Sequence, residues 1–251
     1  MKDGKSHARP WVSPELAGQD GLVGIGGDLR PATLLRAYTD GVFPWFSLGD
    51  PILWWSPDPR SVIELGGLHV SRSLARTIRK GTFRVTVNRA FGDVVRGCAT
   101  ARPDGTWITD PMVAAYETLH RLGHAHSVEA WVRPGPASGG CKPPVESTIE
   151  SATGGLRPPL AEDEDWTLAG GIYGVAVGAL FAGESMFYRV SDASKVALVA
   201  LVARLRERGY ELFDVQMRTD HTARMGATDM PRPEYLRRLR DAVRKSAVRF
   251  D

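Results

Sequence analysis

Cysteine is scarce in this chain: Cys98 and Cys141 are the only two in 251 residues. That is too few for a disulfide framework or a cysteine-built metal site. Long apolar runs are missing too. No stretch approaches the ~18 consecutive apolar residues of a membrane helix, which excludes a helical membrane-spanning protein. The first ten residues, Met1 to Pro10, lack the apolar stretch of a signal peptide. Together these absences predict a cytoplasmic protein. Charge of one sign is nearly absent in the sum, since 32 Lys+Arg against 29 Asp+Glu leave +3. The total therefore says nothing about a partner. Hydrophobic residues at 43% and charged residues at 24% exclude global disorder.

The charge is segregated along the chain. Ser71 to Arg102 carries Arg72, Arg76, Arg79, Lys80, Arg84, Arg89, Arg96 and Arg102 against Asp93 alone. A second basic run follows Arg232. Between them, residues 133–165 hold most of an acidic cluster among Pro, Gly and Ser. That composition cannot bury enough apolar surface to offset its conformational entropy, so 133–165 reads as a flexible insertion between two strands. Clustered Arg and Lys fit a nucleic-acid partner, and they also fit solvated helix faces.

Several motifs fall short. Gly24-Ile-Gly-Gly-Asp28 lacks both the dinucleotide spacing and the Gly-Lys-Ser/Thr ending, and reads as a turn before a helix. Gly183-Glu-Ser-Met-Phe187 has Phe where a serine-hydrolase elbow needs Gly. His124-Ala-His126 places two imidazoles on one strand face with no third ligand nearby, which suits structural histidines better than a metal.

Hydropathy patterning predicts helices at Pro31–Tyr38 closed near Gly41, Val70–Lys80, Ala90–Ala99 and Asp110–Leu122, the last capped by Asp110. It predicts strands at Phe83–Val87, Ala125–Val132, Thr167–Val177, Leu180–Tyr188 and Tyr210–Met217. Asp192 is expected to cap an amphipathic helix ending at Gly209, and the tail from Pro233 reads as helical. Hairpin strands, a crossover helix and a further strand indicate an α+β protein with a mixed sheet.

Two strands carry chemistry. Alternation places Glu184, Met186 and Tyr188 on one face of their strand, and Asp214 with Gln216 on one face of theirs. Two carboxylates and an amide would then meet at one cleft, or pair with Arg189 and Arg218. Trp45, Trp54, Trp55 and Trp107 flank turns rather than periodic runs, and flat aromatics beside basic surface suit stacking of unpaired bases.

The motifs Gly41-Val-Phe-Pro-Trp-Phe-Ser47, Trp54-Trp-Ser-Pro-Asp-Pro-Arg60, His69-Val-Ser-Arg-Ser73, Gly105-Thr-Trp-Ile-Thr109, Leu122 to Glu129, Gly170-Gly-Ile-Tyr-Gly174, Gly183 to Phe187, Asp192-Ala-Ser-Lys195 and Phe213-Asp-Val-Gln216 run in order within a stretch of roughly residues 10 to 240. In that order they resemble the bacterial leucyl/phenylalanyl-tRNA–protein transferases. The resemblance implies transfer of Leu, Phe or sometimes Met from aminoacyl-tRNA to proteins with N-terminal Arg or Lys, marking them for degradation by the N-end rule. It implies a small N-terminal α+β domain, residues 1–68, followed by a GNAT-like domain, residues 69–251. It implies a monomer without metal or cofactor.

The resemblance also suggests roles. Trp45 and Trp107 match tryptophans that hold the terminal adenosine of the tRNA. Ile172, Met186, Leu198, Leu201 and Leu205 match the pocket for the incoming side chain. Asp214 and Gln216 match the catalytic pair, and Glu184 an acidic residue at the acceptor N-terminus. Arg72, Arg76, Arg79 and Lys80 match a basic helix on the acceptor stem. The family often has Met where Ile172 stands and usually Ser where Tyr188 stands.

An aminoacyl ester is already activated, so an amine needs positioning and loss of one proton rather than a covalent enzyme intermediate. Two other readings fit the same chain. A CoA-dependent N-acetyltransferase would need a pyrophosphate loop, and Arg102-Pro-Asp-Gly-Thr-Trp107 fails its last position. A non-catalytic RNA-binding module would leave Glu184, Asp214 and Gln216 without a purpose.

Overall fold

The computed structural model describes residues 9–18, 20–101, 106–133 and 166–251. The 133–165 insertion, except Arg133, lies outside these residues, as do Cys141 and positions 102–105.

The first elements are β1 (Leu22–Ile25), α1 (Pro31–Asp40), β2 (Phe43–Pro44) and β3 (Leu53–Trp55). They build a three-stranded antiparallel sheet in the order β1-β3-β2. Proline in the first turn of α1 presets the helical φ, and Gly41 ends the helix at φ 81°. Gly24 and Ile25 end β1 rather than forming a turn, and only Gly26–Asp28, with Gly26 and Gly27 at positive φ, belong to the link before α1.

Next come β4 (Arg60–Ile63), α2 (Arg72–Arg79), β5 (Arg84–Val87), α3 (Phe91–Thr100) and α4 (Asp110–Arg121). Ser71 caps α2 by accepting from the Leu74 amide. The residue before α4 is Thr109 rather than Asp110, and neither side chain caps the helix. Asp110 instead lies in the first turn, where its charge complements the helix dipole.

The chain closes with β6 (Ala125–Val132), β7 (Thr167–Val177), β8 (Leu180–Tyr188), α5 (Ala193–Glu207), β9 (Leu212–Gln216), α6 (Asp220–Arg224), β10 (Ala227–Met230) and α7 (Arg232–Val243). Asp192 precedes α5, but at φ 70° its carboxylate turns to Lys195 and Thr77 instead of capping the helix.

A seven-stranded mixed sheet runs β10-β4-β9-β8-β7-β6-β5. Its neighbours are antiparallel except β8 and β9, which are parallel and joined through α5. Strand β4 precedes residue 68 yet lies between β10 and β9, so the large sheet spans the expected domain division.

Two cores flank this sheet. One gathers Leu34, Tyr38, Val94, Met112, Tyr116, Tyr173, Phe187, Tyr235 and Leu239, from α1, α3, α4, α7 and the sheet. The other packs Leu198, Leu201 and Leu205 of α5 and Leu74 of α2 against Ile172, Phe181 and Phe213. Each such buried leucine contributes roughly 1.5–3 kcal/mol. Among the described residues, no helix is long and apolar enough to cross a membrane.

Candidate active site

Strands β8 and β9 pair only over Leu180–Ala182 and Leu212–Asp214. Beyond that point β8 continues on β7 alone, while β9 continues on β4 to Gln216. The two strands therefore part in the middle of the sheet, and the polar residues meet where they separate.

A β-bulge sets their aim. Tyr173 pairs with Ser185 but Gly174 pairs with Gly183, leaving Glu184 as the extra residue of β8. A bulge reverses the faces of the residues that follow it. Gly174 is required here, because any side chain at that position would strike the Ala182 carbonyl oxygen. The expectation that Glu184 and Met186 share a face is corrected as a result. Glu184 bonds to tyrosines of the α1–α4 side, whereas Met186 packs into the α5 core.

Asp214 is almost fully buried and its carboxylate is saturated. Oδ1 accepts from Arg60 Nε and from the Gln216 amide, both at 2.9 Å. Oδ2 accepts from Arg60 Nη2 at 2.6 Å and from the Tyr235 hydroxyl at 2.8 Å. These four donors fill the roughly four lone-pair directions of a carboxylate. Burial disfavours the Arg60 charge, but Asp214, with Tyr235 and Glu184, more than restores it, so the guanidinium stays above its ordinary value. Arg60 also donates to the Gly41 carbonyl at 3.1 Å and lies between the rings of Phe43 and Tyr235, at 4.8 and 4.5 Å.

Gln216 is buried and left-handed at φ 57°, a conformation unfavourable for a residue with a side chain. The bond from its amide to Asp214 helps hold that conformation. Its Nε2 donates to Glu184 Oε1 at 3.1 Å. On the other side, the Tyr116 hydroxyl donates to Glu184 Oε2 at 2.8 Å, and the Tyr38 and Tyr116 hydroxyls lie 2.7 Å apart. Desolvation pushes the Glu184 carboxyl up to about 7, although the bonds from Tyr116 and Tyr38 and the charge of Arg60 act the other way. Burial, and then the nearby Glu184, raise the phenols of Tyr38, Tyr116 and Tyr173 well above their ordinary value, so they remain neutral.

The structure thus joins Glu184, Asp214 and Gln216 in one network. The other expected residues form separate groups. Ile172, Leu198, Leu201 and Leu205 are buried together in the α5 core with half-buried Met186 against them. Trp45 is 39% exposed and meets Trp55 edge to face at 6.1 Å; Trp107 is half-buried against the α1–α4 core. Arg72, Arg76, Arg79 and Lys80 are exposed on or just after α2, and none has an ion-pair partner among the described residues. Tyr188, at 61% exposed, projects outward.

Sequence patterning missed Arg60, Tyr38, Tyr116, Tyr173 and Tyr235. Arg60 ends a motif singled out for its tryptophans, and that was its one signal. Among the described residues no three metal-ligating side chains cluster. His126 is buried, stacked on Phe250 at 4.3 Å and bonded to Asn88 at 3.0 Å. Gly183–Phe187 lies within β8, not at a strand-to-helix elbow. The possible CoA loop, Arg102–Trp107, falls mostly outside the described residues.

Comparison with known proteins gives a consistent result. The sequence model described as Leucyl/phenylalanyl-tRNA protein transferase matches residues 62–141 and 162–240, and its N-terminal-domain model matches residues 27–58. A leucyl/phenylalanyl-tRNA–protein transferase of Anaeromyxobacter dehalogenans is 49% identical over 242 residues, covering 95% of this chain and 90% of that protein. One of Magnetococcus marinus is 47% identical over 230 residues, 91% of this chain and 86% of that protein. One of Shigella dysenteriae is 48% identical over 235 residues, 93% and 87% respectively. Among solved structures, that of L-PGS from Bacillus licheniformis gives a TM-score of 0.38 at 12% identity, covering 75% of this chain and 52% of that one.

Proposed function

We propose, for a chain that belongs to the leucyl/phenylalanyl-tRNA protein transferase family, that it moves Leu, Phe or sometimes Met from aminoacyl-tRNA onto the α-amine of proteins beginning with Arg or Lys. The product would carry a new N-terminal residue that marks it for N-end rule degradation in the cytoplasm. The single observation that carries the reading is the network of Glu184, Gln216 and Asp214 at the parting of β8 and β9.

In this reading the ester is the activated partner, and the protein supplies position and charge. Gln216 holds the attacking amine by its side-chain amide. Asp214, saturated by Arg60, Tyr235 and the Gln216 amide, fixes the Gln216 backbone and places a negative charge near the developing positive one. Glu184 attracts the cationic acceptor. Trp45 and Trp107 stack on the terminal adenosine, while Arg72, Arg76, Arg79 and Lys80 meet the phosphates of the acceptor stem. Ile172, Met186, Leu198, Leu201 and Leu205 receive the apolar side chain.

The parallel β8–β9 pair, parting after three residues and bridged by α5, supports a GNAT-like arrangement. The family's two sequence segments part between residues 58 and 62, beside the division proposed near residue 68. The chain is read as a monomer.

Transfer of labelled Leu and Phe from charged tRNA to peptides beginning with Arg, Lys or Ala tests the proposal. Label should enter the Arg and Lys peptides and not the Ala peptide. Equal labelling of all three, or none, would overturn it.

A further inference from the structure

We propose that Glu184 accepts the proton released by the attacking amine and hands it to the departing ribose oxygen, with Tyr116 and Tyr38 as positioning residues. The proposal rests on the aminoacyl-transfer reading above and assigns its proton transfer.

Elimination within the network leads there first. Asp214 has no free lone pair, because four donors from β4, β9 and α7 already occupy its oxygens. Gln216 carries an amide, which is not a useful base. Arg60 is a cation held by its carboxylate partner. Glu184 differs from all three. Its Oε1 accepts from Gln216 Nε2, the same amide that would hold the amine, and the residue is only partly buried.

The surroundings fit a group that changes charge during turnover. Facing it are Tyr38 from α1, Tyr116 from α4, Tyr173 from β7, Arg60 from β4, and Asp214 with Gln216 from β9. The Tyr38–Tyr116 pair donates to the carboxylate as it is, and can turn its hydroxyls when the carboxyl is protonated. The Tyr173 hydroxyl is fully buried, feels the Glu184 charge and has no hydrogen-bond partner among the described residues. Desolvation against these rings places the carboxyl at about 7, where an acid–base group works best near neutral pH.

The step balances without a co-reactant. The neutral amine uses its lone pair to form the bond to the ester carbonyl carbon, and one of its protons passes to Glu184. The carbonyl carbon–ribose oxygen bond then breaks, and that oxygen takes the proton back from Glu184. The products are an amide and a free ribose hydroxyl, with Glu184 restored.

Single-turnover transfer of Leu from Leu-tRNA to an Arg-starting peptide, followed across pH, tests this. In the wild type, the rate should rise through a limb near the Glu184 value of about 7 in addition to the limb of the amine itself. Glu184→Gln should lower the rate by about 10²–10⁴-fold and leave only the amine limb. Tyr116→Phe removes a bond that favours the carboxylate, so it should move the Glu184 limb to higher pH with a smaller loss of rate. A Glu184→Gln enzyme that keeps both limbs would overturn the assignment, whether its rate is intact or only its peptide KM has risen. A wild type that transfers nothing at any pH would overturn the transfer reading and this proposal with it.

Discussion

Arg60 and Asp214 form a two-point ion pair inside the protein, Nε to Oδ1 at 2.9 Å and Nη2 to Oδ2 at 2.6 Å, with both side chains 1% exposed. It ties β4 to β9 and holds the carboxylate that shapes the Gln216 backbone. Removing the cation would leave a buried charge without its partner. Arg60→Met should destabilise the fold by about 3–5 kcal/mol in urea denaturation. Arg60→Lys should recover only part of that loss, since an ammonium cannot match the planar two-point fork. Equal stability of Arg60→Met and wild type would show that the pair contributes nothing.

Trp45 and Trp107 differ in burial, and their variants should differ accordingly. Trp45→Ala should weaken binding of an aminoacyl-adenosine analogue by roughly 1–3 kcal/mol, the value of one base stacked on an aromatic ring. Its melting temperature should change little, because the ring is 39% exposed. Trp107 packs against the α1–α4 core, so Trp107→Ala should lower both affinity and stability. Titration of each variant alongside a thermal melt separates the two effects.

The basic side chains of α2 have no internal partners among the described residues, which leaves them available to phosphates. Replacing Arg72, Arg76 or Arg79 by Ala should weaken tRNA binding. Each arginine that neutralises a phosphate should, when removed, flatten the slope of log affinity against log salt by about 1. Binding isotherms at several salt concentrations read this directly. An unchanged slope in all three variants would move the tRNA-binding surface elsewhere.

Much of the scaffold for this site was legible in the sequence. The apolar spacing of Leu198, Leu201 and Leu205 marked α5 and its buried face, and alternation linked Asp214 to Gln216. The Glu184 face was misread because a bulge depends on the register between β7 and β8, which local alternation does not contain. Strands β4 and β10 were missed for a related reason: each is four residues long and forms by pairing with distant strands. Arg60 carried no signal of its own, because sequence alone cannot distinguish a solvated arginine from one buried against a carboxylate. The tyrosines came from α1, α4, β7 and α7, and only the tertiary fold brings them to Glu184 and Asp214.

Buried His126 should make the protein sensitive to acid. Burial holds its imidazole down at about 4, against 6.5 as its ordinary value. Between those values the unfolded chain binds the proton and the folded chain does not. The stability this histidine contributes is therefore complete above pH 6.5 and is lost as pH falls toward about 4, by up to ~1.4 kcal/mol per pH unit. His126→Gln should flatten the stability profile across that window in urea denaturation. An unaltered profile would place the acid sensitivity elsewhere.

The chemistry is assigned to the point where β8 and β9 part, and Gln216 is the residue that touches both carboxylates there. The most direct measurement compares Gln216→Ala with wild type in single-turnover transfer of Leu from Leu-tRNA to an Arg-starting peptide, with tRNA affinity measured in parallel. Transfer should fall by about 10²-fold or more while tRNA affinity stays at the wild-type value. A variant that transfers Leu at the wild-type rate would contradict the assignment.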